Sequence, residues 1–308
     1  MTDHSLAIES QDLTRRFGDL VAVDSLSLQV PKGTVYGFLG ANGAGKTTTI
    51  RMLLGLIRPD GGTIRVLGDA VGITGKSRAH RVGALVESPS IYPHLTGREN
   101  LEVTRRMLRG DRKRIDSVLA IVNLTAAGGR RAGEYSLGMK QRLGLAQSLM
   151  CEPELLILDE PTNGLDPAGI QEIRGLIRAL AADSGVTIFL SSHLLSEVEQ
   201  VADAVGIIDR GRLRFEGTLD KLTALSRPVV TVRVHDTATA LRVLRDAGRN
   251  VVGSDDGSIR LGALEDEEIA SVNARLVQAG VSVYRITKIK PSLEELFLSM
   301  TQKDVSAS

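Results

Sequence analysis

The amino-acid sequence predicts an α/β protein, a parallel sheet covered by helices, followed by a smaller α+β domain of β-α-β-β-α-β order. Three observations carry this reading. At 308 residues the chain exceeds the usual size of one domain, so a large core and a smaller companion are expected. From Leu6 to Leu222 short, continuous apolar runs alternate with helical patterns, as strands buried on both faces do. At Ser226-Arg227-Pro228 the composition shifts, and beyond it Val230, Val232 and Val234 alternate with polar residues, the pattern of a half-buried strand. Domains over 6–225 and 226–308 follow.

In the first region the strand Val35 to Leu39 precedes a helix over Lys46 to Leu56, Leu155 to Leu158 a helix over Pro167 to Ala182, and Val186 to Leu190 a helix over Leu194 to Ala202. In the second, Thr237 to Ala247 reads as helix and Asn250 to Ser254 with Ser258 to Leu261 as a hairpin around Asp256-Gly257, a turn dipeptide. Leu264 to Ala279 reads as helix, Val281 to Thr287 as strand, and Ser292 to Met300 as a closing amphipathic helix.

Thirty-eight basic residues against 37 acidic ones leave a net charge of +1, which argues against a strong non-specific attraction to nucleic acid or to anionic membrane, and no nucleic-acid partner is expected. The single cysteine, Cys151, excludes an internal disulfide and fits a reducing cytoplasm. The first residues carry acid where a signal peptide carries base, and no stretch approaches the 18 or so apolar residues of a membrane span. A membrane, if involved, belongs to a partner.

The chemistry is concentrated in three places. Gly40, Ala41, Asn42, Gly43, Ala44, Gly45, Lys46 and Thr47 form a phosphate loop between an apolar strand and a helix; its glycines bring backbone N–H groups to anionic oxygens, Lys46 reaches the β- and γ-phosphates, and Thr47 ligates Mg²⁺. Thr48 completes the cradle for ATP. The strand Leu155 to Leu158 ends in Asp159 and Glu160, where Asp159 suits Mg²⁺ and Glu160 is free to orient the water that attacks the γ-phosphate. Between them lies Tyr135-Ser136-Leu137-Gly138-Met139-Lys140-Gln141-Arg142, opening a helix.

Here a resemblance becomes specific. Ser-x-Gly-x-x-Gln-Arg ahead of a strand ending Asp-Glu resembles the signature of ATP-binding cassette (ABC) transporter ATPases, and it implies a P-loop NTPase core with a helical signature subdomain. Asn163-Gly164-Leu165-Asp166 is similar to the family's D-loop, Ser191-Ser192-His193 to its switch histidine, and Phe17 to the aromatic that stacks on adenine. The resemblance covers Leu6 to Leu222. It implies a head-to-tail dimer, a homodimer on the simplest reading, in which Ser136, Leu137, Gly138 and Met139 of one subunit close over ATP on the other. It also makes His193 a catalytic residue that contacts the γ-phosphate and helps hold the catalytic geometry.

Two departures stand out. Glu87 occupies the place where the family usually has Gln, and a carboxylate there could join Thr47 and Asp159 on Mg²⁺. Leu137 and Met139 replace the usual Gly and Gln of the signature. With the ending Pro291-Ser-Leu-Glu-Glu-Leu-Phe-Leu, these resemble the ATPases of ABC-2 type exporters, including those conferring resistance to drugs and peptide antibiotics. The implied partner is a separate multi-span ABC-2 type permease, which would hold the chain at the cytoplasmic face of the membrane. Glu87 to Arg109 is expected to dock it, although Arg98, Arg105, Arg106 and Arg109 also read as a solvated helix face. An importer ATPase shares every motif named, whereas an ABC ATPase acting on DNA or the ribosome is disfavoured by a single cassette without long heptads.

Overall fold

The computed structural model describes residues 6–72, 80–225, 228–253, 257–289 and 293–296. Two compact units divide between Leu219 and Asp220. The first opens with β1 (Leu6–Phe17), β2 (Leu20–Pro31), β3 (Val35–Leu39), α1 (Lys46–Leu53), β4 (Gly61–Val66), β5 (Asp69–Ala70) and β6 (Val82–Leu85). A helical segment follows, α2 (Gly97–Leu108), α3 (Arg114–Ile121), a 3₁₀ turn at Ala132–Glu134 and α4 (Leu137–Ser148). The unit closes with β7 (Leu155–Asp159), α5 (Pro167–Ser184), β8 (Thr187–Ser192), α6 (Leu195–Val198), β9 (Ala204–Asp209) and β10 (Arg212–Thr218).

The main sheet has the order β10-β9-β3-β8-β7-β6. Its five strands β9, β3, β8, β7 and β6 are parallel and only β10 is antiparallel. Every residue of β3, β7 and β8 is buried, which is why these strands read as unbroken apolar runs rather than as alternations. The expectation of a wholly parallel sheet from Leu6 onward needs correction, because β2-β1-β4-β5 form a second, antiparallel sheet. Bulges shift the β1–β2 register at four places and erase the period-2 pattern that would mark the pair in the sequence. Both sheets feed one core, in which Ile8, Leu13, Leu26 and Leu28 meet Tyr36, Phe38, Ile50 and Phe189. The rings of Tyr36 and Phe38 lie 5.5 and 5.3 Å from that of Phe189, and each fully buried side chain of this size contributes about 1.5–3 kcal/mol.

Two helices are shorter than their patterns predict. α1 ends at Leu53, not Leu56, because Gly55 turns left-handed at φ +73° and the Leu56 N–H reaches back to the Arg51 carbonyl at 2.8 Å, a glycine-terminated helix end. α6 keeps four residues of the expected Leu194 to Ala202. Asp203 is drawn to the sheet instead, its N–H donating to the Val35 carbonyl and its carboxylate accepting the Val35 N–H, both at 2.8 Å. α6 touches the sheet at Gly37 of β3, where an added Cβ would stand 2.0 Å from Val198 Cγ1.

The second unit contains α7 (Leu219–Ala224), β11 (Val229–Val234), α8 (Thr237–Asp246), β12 (Val251–Gly253), β13 (Ser258–Leu261), α9 (Asp266–Gln278) and β14 (Val283–Ile289). Its antiparallel sheet runs β12-β13-β11-β14, the β-α-β-β-α-β order expected. Val230, Val232 and Val234 point into a core with Leu244, Ile259, Leu261 and Leu276. Of the expected closing helix, residues 293–296 are helical and the rest lies outside the described residues, as do 226–227 and 254–256. No helix among the described residues is long and apolar enough to cross a membrane.

Candidate functional site

The loop after β3 winds so that Gly43 and Gly45 hold φ +80° and +110°, a region open to glycine at little cost. A Cβ on Gly45 would stand 2.5 Å from the Ala22 carbonyl oxygen, so β2 presses the loop into shape. Lys46, only 5 % exposed, donates from Nζ to the carbonyls of Gly40 at 2.7 Å and Ala41 at 3.1 Å. A cleft of about 610 Å³ opens here, lined by Phe17, Asn42, Gly43, Gly45, Lys46, Thr47, Thr48 and Glu160 among others. Gly40 and Ala44 shape the loop without lining the cleft; a Cβ on Gly40 would meet the Ile208 carbonyl oxygen at 2.6 Å.

Two parallel strands, β7 and β8, end side by side and deliver the acidic groups. Asp159 is 2 % exposed and accepts a hydrogen bond from the Ser191 hydroxyl at 2.6 Å; no cation pairs with it among the described residues. The same hydroxyl accepts the Glu160 N–H at 3.0 Å, steadying a residue whose φ is +48°. The Glu160 carboxylate bridges two catalytic candidates, with Oε1 3.1 Å from Lys46 Nζ and Oε2 2.6 Å from His193 Nδ1. Nearby, Glu197 Oε2 accepts the hydroxyls of Thr162 at 2.7 Å and Ser192 at 3.0 Å.

The other candidates lie at helix starts. Ser136 caps α4 by accepting the Met139 N–H at 3.2 Å, and Leu137 is exposed, its Cδ2 lying 3.3 Å from where a Gly164 Cβ would be. A Cβ on Gly138 would meet only Leu165 Cδ2, at 4.0 Å. Asp166 caps α5, accepting the Gly169 N–H at 2.9 Å. Glu87, left-handed at φ +59°, pairs with Arg51 of α1 and does not line the cleft.

Sequence reasoning missed Arg15 and Glu197, and it named Ser191 only as part of the histidine motif without a role. Arg15 lays its guanidinium 4.7 Å from the Phe17 ring centroid and is itself held by Asp60 at 2.9 Å. Ser191 and Glu197 stitch the strand ends together; their motif neighbours Glu160 and His193 were the only signals near them. A separate groove of about 600 Å³ runs between β6, α2 and α4, lined by Leu85, Tyr92, Val103, Met107, Leu108 and Gln147 among others. Cys151 also lines it, and burial pushes its thiol pKa up. On α2, Arg105 and Arg106 pair with Glu102, and Arg98 with Asp116.

A loop that cradles phosphates beside a strand end carrying two carboxylates defines a nucleotide-binding ATPase. The ABC transporter family model matches residues 23–163. Over 96% of the chain and 97% of the relative, the sequence is 44% identical to the bacitracin transport ATP-binding protein BcrA of Bacillus licheniformis. It is 37% identical to the daunorubicin resistance ATP-binding protein DrrA3 of Streptomyces coeruleorubidus over 99% and 98% of the two chains. A solved ATP-binding subunit of an ABC transporter superposes with a TM-score of 0.64 at 28% identity, covering 72% of this chain and 93% of that one. The chain belongs to the ATP-binding proteins of ABC transporters, and it is an ATP-binding, ATP-hydrolysing transporter subunit.

Proposed function

We propose that the chain powers an ABC-2 type exporter of a drug or peptide antibiotic by closing and reopening a head-to-tail dimer on ATP. The observation that carries the hydrolytic half is the Glu160 carboxylate, poised between Lys46 and His193. Lys46 and the loop N–H groups hold the β- and γ-phosphates. Glu160 orients the attacking water, and His193 contacts the γ-phosphate and fixes the direction in which Glu160 faces. Phe17 stacks on the adenine. Thr47 and the buried, cation-free carboxylate of Asp159 form the donor set for Mg²⁺, a hard oxygen site; when bound, that ion neutralises charge on the phosphates. Glu87, committed to Arg51, stands outside this donor set.

The N-terminus of α4, capped by Ser136 and flanked by exposed Leu137 and by Gly138 and Met139, presents the groups that would close over ATP on a partner subunit, with Asp166 fixing the adjacent loop. Loss of the γ-phosphate removes the preference for the closed state. The groove between β6 and α4 offers the permease a seat beside α2. Export, rather than import, is supported by the bacitracin transport and daunorubicin resistance relatives. The second unit is read as an accessory domain that stabilises the dimer.

The test is copurification from membranes, with and without Glu160→Gln and ATP. Recovery of a multi-span ABC-2 type permease supports the reading; recovery of only ribosomes or DNA overturns it.

A further inference from the structure

Glu197 is a carboxylate with 8 % of its surface exposed, and among the described residues no cation pairs with it. A buried charge without a cation is retained only when hydrogen bonds repay its lost hydration. Its partners are unusual in where they lie: Thr162 stands two residues beyond Glu160, and Ser192 stands immediately before His193. The Ser192 hydroxyl oxygen also accepts the Leu194 N–H at 3.0 Å, so the grip extends across the histidine to both of its neighbours. On the near side Ser191 joins Asp159 to the Glu160 N–H. The two strand ends are thus tied twice, once on each side of the Glu160–His193 contact.

We infer that Glu197 is a positioning residue for ATP hydrolysis, clamping the segment after Glu160 to the segment carrying His193 so that the 2.6 Å contact between them forms in register. It does not line the phosphate cleft and acts through the residues it holds. The inference rests on the assignment of Glu160 and His193 as the hydrolytic pair. Because the clamp lies behind that pair and not in the phosphate cradle, its loss is felt in turnover and not in nucleotide affinity. Misplacing a catalytic group by about 1 Å lowers the rate on the order of a hundredfold.

The experiment measures steady-state ATP hydrolysis by the full chain for Glu197→Ala, Glu197→Gln, Thr162→Val, Ser192→Ala and the Thr162→Val/Ser192→Ala pair, with Glu160→Gln as a control. Glu197→Ala is expected to lower kcat about 10- to 100-fold with KM for ATP within about twofold of the parent. Glu197→Gln, whose amide oxygen still accepts both hydroxyls, restores kcat to within about threefold. The two hydroxyl deletions, which share one acceptor, combine non-additively. An unchanged kcat in Glu197→Ala overturns the inference, as does a KM that rises in step with the fall in kcat or simple additivity of the hydroxyl pair. Should Glu197→Ala fail to fold, the hydroxyl pair decides alone. Normal turnover in Glu160→Gln would remove the hydrolytic assignment itself; slow Glu160→Gln with parental Glu197 variants would remove this inference only.

Discussion

The two units handle awkward backbone differently. Among the described residues of the first, nine non-glycine residues adopt left-handed φ, including Glu87, Glu160 and Arg210. In the described part of the second, every left-handed residue is a glycine, at 248, 257 and 280. Buried polar groups divide the same way: Lys46, Asp159, Ser191, Ser192 and Glu197 lie inside the first unit, whereas Ser258 alone represents the described residues of the second. Strain and buried charge cost about 1–3 kcal/mol each and persist where surrounding structure over-determines them. The first unit carries part of that cost at the ends of β7 and β8, at Glu160, Asp159, Ser191 and Ser192, where chemistry needs fixed charges, and the described part of the second has an almost wholly apolar interior.

The largest effect is expected from Glu160→Gln, which keeps the shape of the strained site and removes its charge. It should slow ATP turnover about 10²- to 10⁴-fold while leaving ATP affinity close to the parent's, and equal turnover would show that the charge held there serves no chemistry. Leu244→Ala addresses the other side. Leu244 is fully buried, so its truncation should destabilise the second unit by about 2–5 kcal/mol in denaturant unfolding, with KM for ATP unmoved. Lys46→Ala should weaken nucleotide binding by about 1.5–3 kcal/mol, the worth of a hydrogen bond to a charged group, as read by nucleotide titration; unchanged affinity would count against the cradle.

The smallest effect concerns a surface charge. Hydrogen bonds from Arg105 first, and then Arg106, hold the Glu102 pKa down to about 2 from an ordinary 4.5. Its folded-state pKa is depressed, so its contribution is present above about pH 4.5 and is lost as pH falls through about 2. A carboxyl titration followed by NMR should show that low midpoint, and Arg105→Ala should raise it.

What the sequence disclosed follows the same divide. Val35–Leu39 was legible to the residue because a strand buried on both faces has no competing pattern. The motifs placing Lys46, Asp159 and Glu160 were legible because their chemistry fixes residue type and spacing. The β1–β2 pair was not, because its bulges break alternation, and α6 was overdrawn because Asp203 is recruited by Val35, a partner far away in the chain. Arg15 and Glu197 escaped notice, and Ser191 was named without its role, because each acts through a contact made only after folding. The second unit, whose local preferences and global fold agree, read almost element by element.

Gly37 shows how far such a contact reaches. The side chain it lacks is the space that Val198 fills, and Val198 follows Glu197 directly, so the missing methyl group acts as the gauge that sets how closely α6 seats on β3. Alanine at this one position would be a shim in the middle of the sheet, lifting the helix and moving Glu197 off Thr162 and Ser192 without altering any residue near the phosphates. The active site's tolerances are therefore partly machined into the back of the molecule, by an absence of atoms.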